Sequence, residues 1–189
     1  MLEREQPRKI ALVGTSCVGK STIWKHFKER QHDNSPIVFV DEAAREYFRR
    51  NPNIPASERF SVKHQGAIQD LQMEYEQAAH GSGGEVILCD RSVLDAVAYV
   101  RGHDDRKGSE HLLERVSQWI PTYHTIFLLD PKDVPYVVDK ERQESPAVRQ
   151  KNHDAFVELF SEAQIPHQVL VGKLEERIQK VQEIVVFKR

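Results

Sequence analysis

Two cysteines in 189 residues, Cys17 and Cys89, are too few for a disulfide framework and suit a reducing compartment. No apolar run approaches the roughly 18 residues a membrane helix needs, so no membrane span is expected. The charged residues cancel: 27 Lys and Arg stand against 29 Asp and Glu, a formal net charge of −2. That excludes the strongly basic field on which nucleic-acid binding rests. There is no C-x-x-C and no H-E-x-x-H, and the nine histidines follow no repeated spacing, which argues against structural zinc. The first residues, Met1 to Lys9, are charged and carry no apolar core of a secretory signal. These absences together lead us to expect a cytoplasmic protein with no nucleic acid and no membrane among its partners. Oligomeric state stays open.

What the chain does have is Gly14-Thr15-Ser16-Cys17-Val18-Gly19-Lys20-Ser21, a complete G-x-x-x-x-G-K-[ST] phosphate-binding loop, followed by Thr22. The apolar run Ile10 to Val13 before it reads as a buried strand, and Thr22 to Lys28 after it reads as a helix. Strand, glycine loop and helix are the context the motif needs. The glycines let the backbone wrap a phosphate, and the helix start aims unpaired N–H groups at it. Lys20 is placed to reach the β- and γ-phosphates, and the Ser21 hydroxyl to ligate Mg²⁺.

Five short runs rich in Val, Ile, Leu or Phe have the character of strands buried on both faces: Lys9 to Val13, Ile37 to Val40, Glu85 to Cys89, Thr125 to Leu129 and Gln168 to Val171. Helical spacing lies between them. It runs through Phe60, His64, Ala67, Leu71, Tyr75 and Ala78, through Leu112, Val116 and Trp119, through Phe156, Leu159, Phe160 and Ala163, and through Leu174, Ile178, Val181 and Val185. Gly81-Ser82-Gly83-Gly84 is a glycine stop for the first of these. Strands alternating with helices predict a parallel α/β sheet. We read residues 1–189 as one domain, with a small helical lid at about 131–150 around the polar stretch Asp139 to Glu144.

Ligands of an open parallel sheet bind beyond the carboxyl ends of its strands. There the second strand runs into Asp41-Glu42-Ala43-Ala44-Arg45 and the third into Asp90-Arg91-Ser92. Helix capping accounts for Asp41 or Asp90 alone. It does not account for an arginine after each, since a cation is disfavoured at a helix start. Phosphoryl transfer uses both kinds of residue. Asp90, with Ser21, is the candidate Mg²⁺ ligand. Arg91 is placed for phosphate or acceptor, and Asp41 or Glu42 as base or anchor for an acceptor hydroxyl. Arg142 and Arg149, after the fourth strand, are candidates to close over the transferred phosphate. No strand ends in Asp-Glu or Asp-x-x-Gly beside the loop, and no Asn-Lys-x-Asp occurs, so ATP is favoured over GTP.

These three segments resemble the AAA-type ATPase/kinase group that includes the bacterial nicotinamide riboside kinase domain. The resemblance runs from Lys9 to the last helix, and the Glu42-Ala43-Ala44-Arg45 element is its more diagnostic part. Asp-Arg-Ser is also similar to the acid-Arg-Ser element of deoxynucleoside kinases. The resemblance implies a P-loop NTPase of kinase type, a three-layer sandwich on a five-stranded parallel sheet of order 2-3-1-4-5. It places Glu42 and Arg45 on the acceptor side and Asp90 and Arg91 on the Mg²⁺ and phosphate side. It brings Gly172 near the adenine and Arg142 to the lid. The family shows Asp-Gly-x-Arg in the lid where this chain has Asp139-Lys140-Glu141-Arg142, so the turn must differ. The expectation is a Mg²⁺- and ATP-dependent kinase acting on a small-molecule hydroxyl, a nucleoside or nucleoside-like compound such as nicotinamide riboside. A non-kinase ATPase and an ATP-sensing regulatory module are the alternatives.

Overall fold

The computed structural model describes residues 6–32, 35–135 and 145–185. Five strands, β1 (Arg8–Val13), β2 (Ile37–Val40), β3 (Val86–Asp90), β4 (Tyr123–Leu129) and β5 (Gln168–Leu170), form one sheet of order β2-β3-β1-β4-β5. Every neighbouring pair is parallel. The helices are α1 (Lys20–Glu29), α2 (Ala43–Arg50), α3 (Val62–Gly81), α4 (Val93–Gly102), α5 (Arg106–Arg115), α6 (Pro146–Glu162) and α7 (Leu174–Val185).

The two-residue period of the strands divides the core into two layers. Ala11 and Val13 of β1, with Ile87 and Cys89 of β3, face a cluster completed by α3, α4, α5 and α6. Ile10 and Leu12, with Val86, Leu88, Phe127 and Leu129, face Ile23, Trp24 and Phe27 of α1 and Val181 and Val185 of α7. Buried on both faces, β1 is apolar from Ile10 to Val13 and β3 from Val86 to Cys89, before its last residue, Asp90. All ten residues of α4 are buried. Its start is fixed by a capping box in which the Ser92 hydroxyl accepts from Leu94 N–H and the Asp95 carboxylate accepts from Ser92 N–H.

The expected strands are present, with ends displaced by a residue or two. One expectation is corrected. Leu112, Val116 and Trp119 do not share a helix: α5 ends at Arg115, and Val116 and Trp119 lie in the turns beyond it. Nor do Asp41 and Asp90 cap helices. The cap positions belong to Glu42 and Ser92, and Asp90 is still part of β3. Among the described residues no helix is long and apolar enough to cross a membrane. The lid stretch Asp139 to Glu144, Arg142 included, lies outside the described residues.

Candidate functional site

β1 is central, and the loop leaving its carboxyl end turns directly into α1. Gly14 has φ of 136° and Gly19 of 92°. A Cβ on Gly14 would stand 3.0 Å from the Leu129 carbonyl oxygen, so the loop cannot carry a side chain there. Gly19 caps α1 with no side-chain hydrogen bond, and the first turn of α1 holds no acidic residue. A helix start of this kind favours an anion. Residues Ser16 to Thr22 line a cavity of about 300 Å³ that Arg91, Val134 and Pro135 complete.

Lys20 is 5 % exposed, and its ammonium donates to the carbonyls of Gly14, at 2.7 Å, and Thr15, at 2.6 Å. Burial, with Arg91 nearby, lowers its pKa to about 8. Asp90 is buried at the end of β3, and it and Ser21 line the same cavity. Burial, then Glu42, raises its pKa. Its Oδ1 is buried with no hydrogen-bond partner. An unsatisfied carboxylate oxygen beside a hydroxyl is a hard-oxygen donor pair of the kind Mg²⁺ takes when phosphates supply the remaining ligands. The residues therefore fit that ion. Among the described residues no group of three or more His, Cys, Asp or Glu could hold a metal by itself.

Beside Asp90 lies an ion-pair network the sequence suggested only in part. Arg91 Nε donates to Glu42 at 2.7 Å and its Nη1 to Asp95 at 3.0 Å, with Tyr99 at 3.5 Å. Arg91 has φ of 84°, rare outside glycine. Burial would lower the Glu42 carboxyl's affinity for charge, but Arg91, then Lys20 and Arg45, outweigh it and hold its pKa at about 2. Arg45 is half-exposed, 3.3 Å from Glu42. The structure thus brings Lys20, Ser21, Glu42, Asp90 and Arg91 together. Asp41 stands apart on the rim, 69 % exposed and 3.7 Å from Lys28. Gly172, φ 88°, makes the turn from β5 to α7. Asp95 was missed as a site residue. The spacing Ser92-x-x-Asp95 was a legible capping box, but nothing in it says that the capping acid also holds an arginine.

A second, larger space of about 650 Å³ runs from Ser21, Asp90 and Glu42 along the outer edge of β2. Trp24, Val38, Phe39, Tyr75, Ala78 and Ala79 give it apolar walls, and Lys25, Arg45 and Arg49 lie on its rim.

A search of the curated proteins finds no match. Among solved structures, the chain resembles a NadR protein in complex with NAD and AMP-PNP at 18 % identity and a TM-score of 0.71, with 97 % of this chain and 51 % of that one covered. It resembles a NadR protein in complex with NR at 17 % identity and a TM-score of 0.70, covering 94 % of this chain and 49 % of that one. This chain spans about half the length of those structures. They share its fold, an α/β P-loop fold on a five-stranded parallel sheet. The AAA domain family matches residues 9–177, nearly the whole described sheet and its helices, and the chain belongs to that family.

Proposed function

We propose that the protein transfers the terminal phosphoryl group of ATP to a hydroxyl of a small molecule, a nucleoside or nucleoside-like compound, with nicotinamide riboside the leading single candidate. The observation that carries this reading is that the two cavities meet at Ser21. A phosphate chain held by the glycine loop would then end beside the β2 groove, whose lining includes Glu42 and Asp90 as candidates to meet an acceptor hydroxyl. An enzyme that only hydrolysed ATP would need no second chamber with apolar walls. A NadR protein that holds NR shares this fold, which supports the choice of candidate.

Each residue then has a task. Lys20 exchanges the Gly14 and Thr15 carbonyls for phosphate oxygens. Asp90 and Ser21 would hold Mg²⁺, which supplies charge neutralisation along the phosphates. Glu42, with a pKa of about 2, is a weak base. Its task is to accept the hydrogen bond of the acceptor hydroxyl and orient it. That suffices for a loose transition state, in which the hydroxyl proton leaves late. Arg91 keeps Glu42 ionised and lies against the phosphate cavity. Gly172 is assigned to the nucleotide side, near the adenine.

The test is ATP consumption with Mg²⁺ across nucleosides, nicotinamide riboside, nucleoside monophosphates and vitamin alcohols. Turnover that depends on one acceptor supports the proposal. Tight ATP binding with silence across the panel would replace it by the regulatory ATPase or the sensor.

A further inference from the structure

Two buried arginines outside the acid–arginine network converge on the glycine loop from behind. Arg149 lies on α6 and Arg177 on α7, and they come from the helix layers on opposite faces of the sheet. They are 7 % and 1 % exposed. Arg149 Nη2 donates to the Cys17 carbonyl at 3.0 Å, and Arg177 Nη1 to the Val18 carbonyl at 3.2 Å. Both also hold the turn that follows β4. Arg149 donates to Pro131 and Val134, and Arg177 to Lys132. Arg177 Nε reaches Gly172 at 2.8 Å. The expectation that Arg149 closes over a phosphate is therefore replaced by one in which it binds the back of the loop. Each arginine sits near the start of its helix, where a cation is disfavoured. Burying a guanidinium costs further free energy, so the position calls for a return elsewhere.

The return follows from peptide geometry. The Cys17 carbonyl belongs to the same peptide unit as the Val18 N–H, and the Val18 carbonyl to the same unit as the Gly19 N–H. No cis bond occurs among the described residues, so in each unit the N–H points away from the carbonyl. A donor fixed on the carbonyl turns the N–H to the other side. Cys17, Val18 and Gly19 line the phosphate cavity, and neither arginine does. A charged donor on the carbonyl also polarises the whole unit and strengthens its N–H as a donor.

We propose that Arg149 and Arg177 are positioning residues for the phosphate cradle, each fixing and polarising one peptide unit, the Val18 N–H through Arg149 and the Gly19 N–H through Arg177. The proposal rests on the nucleotide-binding half of the function above and is independent of the acceptor. Both act through the loop backbone. A plain structural brace between the loop and the β4 turn is the competing account. It predicts lost stability with unchanged phosphate affinity.

The experiment uses the full ¹⁵N-labelled chain as wild type, Arg149→Lys, Arg177→Lys and Arg177→Met. It measures binding of Mg²⁺-ATP and of tripolyphosphate, thermal unfolding, and the amide shifts of Val18 and Gly19. Tripolyphosphate probes the cradle alone. We expect Arg177→Met to weaken ATP and tripolyphosphate by the same factor, about tenfold, worth about 1.4 kcal/mol, and the lysine variants to weaken both by less. The Gly19 amide should move in the Arg177 variants and the Val18 amide in Arg149→Lys. If Arg177→Met does not fold, the two lysine variants carry the same readouts. Tripolyphosphate affinity within about twofold of wild type beside a lowered unfolding midpoint would overturn the proposal in favour of the brace, as would amide shifts without the pairing stated. Wild type that binds neither ATP nor tripolyphosphate would instead sink the nucleotide reading on which the proposal stands.

Discussion

The sheet carries a buried ionic cluster at each end, and the two are built on opposite terms. At the amino end Glu76 is fully enclosed and accepts from Lys9 at 2.6 Å, Trp119 at 2.7 Å, Tyr123 at 2.7 Å and Gln72 at 2.9 Å. The Lys9 ammonium lies over the rings of Trp119 and Tyr123, 4.5 and 4.4 Å from their centres. Both carboxylate oxygens are occupied, and the cluster ties β1, α3 and β4 together. At the carboxyl end Asp90 Oδ1 and the Thr15 hydroxyl are buried without partners, and Lys20 rests on backbone carbonyls. Two cavities open beside them. A native core seldom leaves buried polar atoms unsatisfied. The first cluster is closed within the protein, and the second borders the two cavities on which the proposed function rests.

Substitutions should separate the two ends cleanly. The largest effect is expected from exchanging their central residues. Lys20→Ala should abolish nucleotide turnover, a fall of about a thousandfold or more given a lost cation at the developing charge, with no drop in the unfolding midpoint. Glu76→Gln should do the reverse, costing about 3–5 kcal/mol by leaving Lys9 buried without its counter-charge, with turnover per folded molecule unchanged. Urea unfolding and a turnover assay on the same samples decide it, and turnover surviving in Lys20→Ala would break the contrast.

Asp90→Asn sharpens the comparison at one atom. Its turnover should fall by about a hundredfold, as for a lost charge-stabilising group. Because folding raises the Asp90 pKa, the ionised carboxylate contributes nothing to stability at neutral pH, and the midpoint should not drop. A loss under about tenfold would make Asp90 a plain buried acid.

The smallest effect concerns Glu42, an acid at the carboxyl end that is paired with a cation as Glu76 is. Folding depresses the Glu42 pKa from 4.5 to about 2. The unfolded chain therefore takes up this proton first as the pH falls. The stabilisation is complete above about 4.5 and is lost on the way down to about 2. In Glu42→Gln the acid-unfolding curve should lose that part of its slope, and an unchanged curve would mean that Arg91 does not hold Glu42 in solution.

How much of this the sequence disclosed depends on whether a residue acts through its neighbours in the chain. The glycine loop is local, so its strand, turn and helix were legible together, and so was the parallel sheet from its five short apolar runs. Glu42, Asp90 and Arg91 could be placed at strand ends by position. The pairing of Arg91 with Glu42 joins residues 49 apart, and no spacing rule reaches that far. Asp41 and Glu42 were indistinguishable as adjacent acids. The geometry of β2 points one into the network and leaves the other beside Lys28. Val116 and Trp119 misled because turns after a helix can bury side chains at helical spacing as readily as a helix does. Arg149 and Arg177 bond the loop across 132 and 159 residues, which only the folded chain shows.

Arg91 sets its own backbone against its side chain. Its φ of 84° suits glycine or asparagine, and a larger residue there costs about 1–3 kcal/mol. Glycine would release that strain but leave Glu42 and Asp95 buried without their counter-charge, which costs about 3–5 kcal/mol. The two ion pairs outweigh the strained backbone, so a library varied at this one position should return arginine whether it is sorted by melting or by nucleotide turnover.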